Sequence, residues 1–284
     1  MKARTVAFQG EVGAFSEAAA KRFFGKRASA VPKKSFDDVF AAVDKRTSEC
    51  GIVPIENSLY GSIHQTYDLL QEYELNIIGE IKLRVVHALL VNKGVRMNDI
   101  RYIYSHPQAL GQCEQFLRTM KNCEVVAAYD TAGSARMIKA EHRNDAAAIA
   151  GVDAGRIYGL AALKTGIEND HMNFTRFIVV SRQRRIAVSN AKTSIILSMK
   201  NIPGALFKAL SVFALRDIDL FKIESRPLTG KSKEPWQYLF YIDFKGSIRD
   251  EACRHALDHL REIALYLKIL GSYPIGKTAG GGAA

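Results

Sequence analysis

Short apolar runs alternate along the first two thirds of the chain with longer segments in which apolar side chains recur every three or four positions. Strands are predicted for the short runs, at 5–9, 51–55, 100–104 and 124–128. Amphipathic helices are predicted for the spaced segments, at 14–24, 36–43, 109–120 and 134–140. Because strands and helices take turns, the pattern predicts an α/β fold with largely parallel sheets.

The apolar stretch after residue 75 marks a change of lobe. Strands are predicted at 76–80 and 82–91, and the strand, helix and loop signals then begin again. We therefore expect a domain at 4–181 that consists of two lobes, about 4–80 and 81–175, with a cleft between them.

The pattern changes after residue 181. Residues 182–192 are polar and basic, which predicts a linker. Residues 193–274 predict the order βαββαβ of a ferredoxin-like unit. The tail at 275–284 has too little apolar content to order itself, so we expect it to be disordered.

The composition is that of a globular protein, with 48% hydrophobic and 24% charged residues. No apolar run approaches membrane-spanning length, and the first strand begins so early that we expect no signal peptide. Four scattered cysteines without a C-x-x-C pair favour a reducing, cytoplasmic compartment. The net charge of +11 suits an acidic small molecule or a nucleic acid, but the basic residues are spread out, so we expect a solvated surface rather than a nucleic-acid groove.

Polar side chains lie at the ends of predicted strands of the first domain. They occur at Gln9-Gly10, Glu56-Asn57-Ser58, Ser105-His106, Thr131-Ala132 and Thr175-Arg176. Taken singly, each is explained by a turn or a helix cap. Because ligands of α/β proteins gather at the carboxyl ends of strands, their repetition predicts a site in the cleft.

The residues of this candidate site are rich in hydrogen-bond donors and poor in nucleophiles and strong bases. The sequence has no G-x-S-x-G elbow, and His255 and His259 share a helix face without the glutamate of a zinc motif. We expect neither a metal nor a cofactor. Such a site suits a reaction in which a poised substrate is anchored and a proton is delivered to its leaving group.

Five motifs occur in order in the first domain: residues 6–16, Val53-Pro54-Ile55-Glu56-Asn57-Ser58, Ser105-His106-Pro107-Gln108, Asp130-Thr131-Ala132 and Asn173-Phe174-Thr175-Arg176-Phe177. Together they resemble the motifs of the prephenate dehydratase family. In the last unit, residues 204–207 and 224–227 resemble the two phenylalanine-binding motifs of that family's regulatory ACT domain. The resemblance covers nearly the whole chain, about 4–274.

The resemblance implies a two-lobed, periplasmic-binding-protein-like catalytic domain that works without a cofactor. In this family prephenate loses its ring carboxylate as carbon dioxide and its hydroxyl as water, and aromatisation to phenylpyruvate drives the reaction. Catalytic roles fall by resemblance on Thr175, Glu56, Asn57, Ser105 and Gln112. Substrate-binding roles fall on Arg176, Ser58, Thr131, Ala132 and His106. Thr175 would help the hydroxyl to leave, and Arg176 would anchor a carboxylate or brace the cleft.

The resemblance of the last unit implies feedback regulation by L-phenylalanine at an interface between ACT domains of a homo-oligomer, a dimer or a tetramer. The implied positions are Gly204, Ala205, Leu206, Glu224, Ser225 and Arg226. A glycine at the start of the helix lets the backbone approach the carboxylate of an amino acid.

One alternative lies within the family. Arogenate dehydratases of plant type share these motifs and act on the amino analogue of prephenate, which gives phenylalanine directly. The segments 58–64, 222–227 and 238–244 resemble that branch, whereas Tyr60 stands where we expect a glycine in it. For a photosynthetic organism the expected compartment becomes the plastid.

Two alternatives belong to other classes. RNA-recognition modules share the βαββαβ order, and Tyr238, Phe240 and Phe244 are aromatics of the kind that stack on bases, but the glycines of the usual aromatic-glycine motif are missing. A two-lobed sensor would close on a small acid without turning it over. Neither an RNA-binding protein nor a sensor would convert prephenate, so an assay of prephenate turnover distinguishes both from an enzyme.

Overall fold

The structure is a computed structural model that describes residues 4–25, 28–228 and 237–279. The backbone divides into two compact units. The first comprises Met1–Thr66, Ile81–Phe177 and Lys277–Ala284, and the second comprises Tyr67–Glu80 and Ile178–Gly276. Within the described residues, no helix has the length and apolar character needed to cross a membrane.

Strands and helices alternate through the first unit, which confirms the predicted α/β class. The strands are β1 (Arg4–Gln9), β2 (Ala28–Lys33), β3 (Cys50–Asn57), β4 (Gly61–Ser62), β5 (Asn76–Arg84), β6 (Ala88–Val91), β7 (Tyr102–Ser105), β8 (Glu124–Ala127), β9 (Ala146–Ala150), β10 (Ala161–Thr165), β11 (Phe174–Ser181), β12 (Ala191–Ser198), β13 (Leu220–Pro227), β14 (Tyr238–Lys245), β15 (Tyr266–Pro274) and β16 (Thr278–Ala279). The helices are α1 (Phe15–Phe24), α2 (Phe36–Asp44), α3 (His64–Glu72), α4 (Pro107–Gln112), α5 (Glu114–Leu117), α6 (Thr131–Ala140), α7 (Val152–Tyr158), α8 (Ala205–Ala214) and α9 (Glu251–Ile263). Of these elements, β12 to β15, α8 and α9 belong to the second unit.

The first sheet has the order β16-β5-β11-β3-β1-β2, and β4 pairs with β3. Its central strand β1 runs parallel to both β2 and β3. Both faces of these strands are covered, so Phe8 and Ile52 have no exposed surface. This burial explains why the strands read as continuous apolar runs in the sequence.

The second sheet is mixed rather than largely parallel, which corrects the prediction. Its order is β10-β6-β9-β7-β8. The strand β7 runs parallel to β8 and β9, whereas β6 runs antiparallel to β9 and β10. β6 enters this sheet from β5 of the first sheet and not through a βαβ crossover, so the parallel direction that such a crossover imposes does not apply to it.

The predicted strand at 82–91 is two strands in two sheets. β5 ends at Arg84, β6 begins at Ala88, and the residues between them, Val85, Val86 and His87, are outside regular structure. Periodicity cannot reveal a change of sheet when both strands are buried. The chain returns through residues 166–173 to β11, which joins the first sheet, so residues 174–175 do not belong to the second lobe as predicted.

The predicted helix at 109–120 consists of two short helices, α4 and α5, that are separated at Cys113. The side chain of Cys113 is fully buried. The apolar spacing continues through this break, which explains why the pattern predicts one helix.

The second unit contains the predicted βαββαβ order. Its four strands follow the order β13-β14-β12-β15, and all neighbouring pairs are antiparallel. Phe244 of β14 is fully buried against α8 and α9, and Phe240 packs against the same core. These aromatics therefore do not form the exposed stacking platform of an RNA-recognition module.

Residues 67–80 also pack within the second unit. The carboxylate of Glu80 and the ammonium of Lys192 form a buried ion pair with a 2.8 Å contact. Asp68 of α3 accepts two hydrogen bonds from Arg226 Nη2, at 2.8 and 2.9 Å. Ala191 and Lys192, assigned to the linker from their polarity, already belong to β12.

The tail is ordered further than predicted. Thr278 and Ala279 form β16, which pairs in parallel with Lys82 and Leu83 of β5. These contacts use backbone groups, so they need none of the apolar side chains whose absence predicted disorder. Residues 280–284 of the predicted disordered tail lie outside the described residues.

Candidate active site

A cavity of about 460 Å³ lies in the first unit, at the strand ends where the predicted polar residues converge. Its volume falls in the range that is usual for small-molecule sites. The wall includes Gln9 after β1, Asn57 at the end of β3, and Thr175 and Phe177 of β11. Residues that follow strands of the second sheet complete it, among them His106 after β7 and Asp130 after β8.

First turns of four helices also line the cavity. The first-turn residues are Phe15 and Ser16 of α1, Phe36 of α2, Gln108 of α4 and Thr131 of α6, and the N-cap residues Ser35, His106 and Asp130 precede the last three helices. The first backbone N–H groups of a helix lack partners within it and carry the positive end of its dipole. Side-chain caps satisfy some of them, as Ser35 does for Asp38 N. The arrangement still favours an anionic ligand.

The side chain of Asn57 holds Thr175 in place. Asn57 Nδ2 donates to Asn173 Oδ1 at 2.8 Å and to Thr175 Oγ1 at 3.0 Å. Its Oδ1 accepts from the backbone N–H groups of Leu59 and Tyr60, at 3.0 and 3.1 Å. All four hydrogen-bonding positions of the amide are thus used. Because the Thr175 oxygen accepts here, its own proton stays available to a group in the cavity.

His87 orients a second amide on the wall. It lies in the crossover between the two sheets, is 2% exposed, and its Nε2 is 2.6 Å from Gln112 Oε1. Burial lowers the pKa of His87, so the ring is neutral over a wider pH range. Since the amide oxygen accepts, the ring proton lies on Nε2 and the amide N–H groups of Gln112 are left to face the cavity.

The buried carboxylate of Glu168 holds the backbone of the segment between β5 and β6 in place. Glu168 Oε2 accepts from the backbone N–H of His87 at 2.9 Å, and Arg84 Nη2 lies 3.7 Å from Glu168 Oε1. The ring of Phe15 meets the His87 ring edge-on, with 5.5 Å between centroids. The position of His87 is therefore set by its backbone as well as by its side chain.

Asp130 brings a carboxylate to the wall. Its Oδ1 accepts from Gly133 N at 2.7 Å and caps α6. The side chain is nearly buried, and this burial raises the pKa of Asp130. Gly10, with φ +111°, lies so close that a Cβ there would come within 3.0 Å of Asp130 Oδ2. The motif that contains Gly10 therefore needs glycine next to this carboxylate.

Comparison with known proteins gives a consistent answer. The prephenate dehydratase family matches residues 6–185. The chain is 48% identical over 281 residues to arogenate dehydratase/prephenate dehydratase 2, chloroplastic, of Arabidopsis thaliana, covering 96% of this chain and 73% of that protein. Its fold is similar to that of prephenate dehydratase in complex with L-Phe from Arthrobacter aurescens, with TM-score 0.87, 31% identity, and 95% and 90% of the two chains covered. It is also similar to GqqA, described as a novel type of quorum quenching acylase, with TM-score 0.87, 32% identity, and 96% and 98% covered.

The chain belongs to the prephenate dehydratase family. The resemblance drawn from its motifs is confirmed, and so is the predicted enzyme class, a dehydratase. The two-lobed, periplasmic-binding-protein-like fold expected for the family is likewise confirmed.

Five of the ten catalytic and substrate-binding residues that were assigned by resemblance to prephenate dehydratases line the cavity. These are Asn57, Thr175, Gln112, His106 and Thr131. His106 accepts a hydrogen bond from Gln108 N through Nδ1, at 3.2 Å, and so caps α4. Thr131 begins α6 directly after Asp130.

The other five assigned residues are not on the cavity wall. Glu56 and Arg176 pair with each other, with 3.1 Å between Glu56 Oε2 and Arg176 Nε. They neighbour Asn57 and Thr175 in β3 and β11, and successive side chains of a strand point to opposite faces. An anchoring role for Arg176 on the substrate therefore receives no support from its position.

Ser58, Ser105 and Ala132 are held by neighbouring structure. Ser58 Oγ donates to Met172 O at 2.7 Å, and Ser105 Oγ donates to Ile149 O at 2.6 Å. Each serine proton is thus used in a structural bond. Ala132 is fully buried in the first turn of α6.

The motif comparison missed His87 and Asp130 as parts of the site. His87 was hidden in an apolar run that was assigned to one strand, although a lone histidine in such a run was a visible signal. Asp130 was part of a quoted motif but was not given a role. Within the described residues, no group of three His, Cys, Asp or Glu side chains is placed to hold a metal ion.

Proposed function

We propose that this chain removes carbon dioxide and water from prephenate or from its amino analogue arogenate. The bond between the ring and its carboxylate breaks, and the electron pair of that bond becomes part of the aromatic ring. The carbon–oxygen bond to the hydroxyl breaks at the opposite end, and the hydroxyl takes up one proton to leave as water. The products are carbon dioxide, water, and phenylpyruvate or phenylalanine.

One observation carries this proposal: the hydroxyl of Thr175 faces the cavity with its oxygen already engaged by Asn57. An N–H group that donates to this oxygen polarises the hydroxyl and makes it a better donor. Thr175 then donates to the departing hydroxyl of the substrate. A threonine is a weak acid, so aromatisation must supply most of the driving force, while the cavity orients the substrate.

The surroundings suit an acidic substrate. The first turns of four helices and the exposed ammonium of Lys34 give the wall a positive character. The amide N–H groups of Gln112 add neutral donors on the same wall. Together these groups bind carboxylates without a bidentate arginine clamp.

Substitution of Thr175 tests the proposal. Thr175→Ala removes the hydroxyl, and we expect kcat to fall by about 100-fold or more, as when one preorganised donor is lost from a transition state. Thr175→Ser keeps the hydroxyl and is expected to retain activity within about tenfold, because it loses only a methyl group that fixes the rotamer. Near-normal turnover by a folded Thr175→Ala variant would contradict the role of Thr175.

The acylase description of GqqA is not favoured for this site. Acyl transfer needs a nucleophile that an adjacent base activates. Of the two serines on the cavity wall, Ser35 donates its proton to Asp38 Oδ2 at 2.8 Å, and Ser16 has no hydrogen bond to a histidine within the described residues. Burial raises the pKa of Cys113 to about 12, with a smaller contribution from the charge of Glu168. A thiol of this kind is not a nucleophile at neutral pH.

We further propose that residues 193–274 of the second unit form an ACT domain, and that L-phenylalanine binds to this domain and regulates the enzyme. The relative from Arthrobacter aurescens is described as a complex with L-Phe. Gly204 precedes α8 with φ 77°, a conformation that glycine adopts without strain. Glu224, Ser225 and Arg226 lie in β13, the edge strand of the four-stranded sheet.

Calorimetry with the whole chain tests this regulatory proposal. We expect L-phenylalanine to bind and D-phenylalanine to bind far more weakly, because an amino-acid site reads the configuration at the α carbon. Heat from neither isomer would contradict the proposal.

The edge strand β13 also supports the proposed homo-oligomer. Phe221 and Ile223 are each 43% exposed on this strand, and an exposed apolar edge strand is a surface that pairs with another chain. Sedimentation velocity is expected to show a dimer or a larger assembly.

If the source organism is photosynthetic, we propose the plastid as its compartment, since the Arabidopsis relative is named chloroplastic.

A further inference from the structure

The cavity wall carries a single carboxylate, that of Asp130, among the described residues that line it. Oδ1 of Asp130 is used in capping α6. Oδ2 lies beside Gly10, and the backbone N–H of Ala132 also donates to the carboxylate. Both of these donors are backbone groups at the start of α6, and a carboxylate offers about four acceptor positions, so Asp130 keeps acceptor positions for a ligand.

The side chains of the wall supply little net charge for a ligand that carries two negative charges, so the helix first turns and neutral donors must bind its carboxylates. Lys34 is the single lysine or arginine among the described lining residues, and Asp130 offsets its charge. Prephenate has two carboxylates. Arogenate has the same two carboxylates and an ammonium group in place of the keto oxygen, so its net charge is smaller by one unit.

Asp130 acts differently on these two substrates. Its carboxylate repels both carboxylates of prephenate, whereas it attracts the ammonium group of arogenate. Burial makes the ionised form of Asp130 costly, which is why its pKa is raised, and a cation placed against it offsets that cost. A buried charge of this kind gains most from a charged partner.

We infer that Asp130 determines substrate specificity by accepting a hydrogen bond from the ammonium group of arogenate through Oδ2. This inference rests on the proposed dehydratase function. It makes arogenate the better substrate of this chain. It also gives a second task to a residue whose position is already explained by its cap on α6.

Asp130→Asn separates these two tasks. Asparagine caps a helix about as well as aspartate, so the fold of α6 is preserved while the charge is removed. For arogenate we expect kcat/KM to fall by about 10- to 100-fold, mainly through KM, since a hydrogen bond to a charged group is lost. For prephenate we expect kcat/KM to stay the same or to rise, because a repulsive charge has gone.

Two further variants complete the experiment. Asp130→Ser also caps the helix and lacks the charge, so it must show the same selective loss. Asp153→Asn removes an exposed carboxylate from the first turn of α7, outside the cavity, and is expected to leave both substrates unaffected. Thermal unfolding of each variant checks that the fold is retained.

The outcomes distinguish the inference from the function on which it rests. A loss on arogenate alone supports the inference. An equal change on both substrates, no change on either, or a parent chain that uses prephenate but not arogenate overturns it and leaves the dehydratase function standing. A parent chain that is inactive on both substrates contradicts the proposed function itself.

Discussion

Asn57→Asp offers the most direct test of how the site works, because it removes the two N–H donors of the amide and leaves the shape of the side chain nearly unchanged. A carboxylate still accepts from the N–H groups of Leu59 and Tyr60, as Asn57 Oδ1 does. It cannot donate to Asn173 or to Thr175, as Asn57 Nδ2 does. We expect the hydroxyl of Thr175 to turn and donate its proton to the new carboxylate. The proton that the substrate needs is then directed away from the cavity.

The cost in stability is expected to be small for a buried position. Asn173 Nδ2 is buried without a partner within the described structure, so a rotation of the Asn173 amide brings an N–H to the new carboxylate. The number of hydrogen bonds is then nearly unchanged, although a charge has been placed where Asn57 is 4% exposed. We expect the free energy of unfolding to fall by about 1–3 kcal/mol, the cost of one poorly satisfied buried group. Chemical denaturation measures it.

The cost in activity is expected to be larger. Loss of one preorganised donor costs about 100- to 1000-fold in kcat. The assay follows the appearance of phenylpyruvate from prephenate, or of phenylalanine from arogenate, under conditions in which circular dichroism shows a folded chain. Protonation of the new carboxyl restores a donor, so the gap between parent and variant should narrow as the pH falls.

A double variant supplies the control. Thr175→Ala and Asn57→Asp act on the same proton, so the double variant should be no slower than the slower single variant. If the two losses multiply instead, Asn57 contributes independently of Thr175. A kcat for Asn57→Asp within about threefold of the parent would refute the account of Thr175 as a hydroxyl activated by Asn57.

The remaining predictions concern His87 and Asp68. His87→Phe is expected to lower kcat/KM by up to about tenfold, the value of one neutral hydrogen bond, because Gln112 loses the donor that orients it. His87→Gln keeps a donor and should retain most of the activity that His87→Phe loses. An unchanged kcat/KM in His87→Phe, or an equal loss in both variants, would contradict the orienting role of His87. Burial holds the pKa of His87 below its ordinary 6.5, so the contribution of the neutral ring to stability is present above that pH and is lost as the pH falls. Chemical denaturation should therefore show that the free energy of unfolding falls less with decreasing pH in His87→Gln than in the parent chain. Asp68→Asn removes the charged acceptor of Arg226 and should raise the phenylalanine concentration for half-inhibition by up to about fivefold, because ion pairs near the surface contribute about 0.2–1 kcal/mol. Without phenylalanine, kcat should be unchanged. An unchanged concentration for half-inhibition would show that the ion pair of Arg226 with Asp68 has no part in regulation.

The alternation of strands and helices, the βαββαβ order and the family were all accessible from the sequence, because they depend on spacing and on motifs. The role of the segment around His87 was not. Val85 and His87 line the cavity because the chain leaves one sheet and enters another there, and an apolar run looks the same whether its two halves lie in one sheet or in two. Sheet partners are set by contacts between residues far apart in sequence, which no local pattern contains.

The two paired motifs show the same limit at the level of single residues. Glu56 and Asn57 are neighbours, as are Thr175 and Arg176, and sequence comparison assigned all four to the site. In the folded chain Asn57 meets Thr175 at the cavity, while Glu56 meets Arg176 away from it. A shift by one residue in either strand would exchange these roles, since successive side chains alternate between faces. The register of β3 and β11 therefore decides that the cavity presents an amide and a hydroxyl rather than an ion pair, and this choice suits a reaction that needs one proton delivered and no strong base.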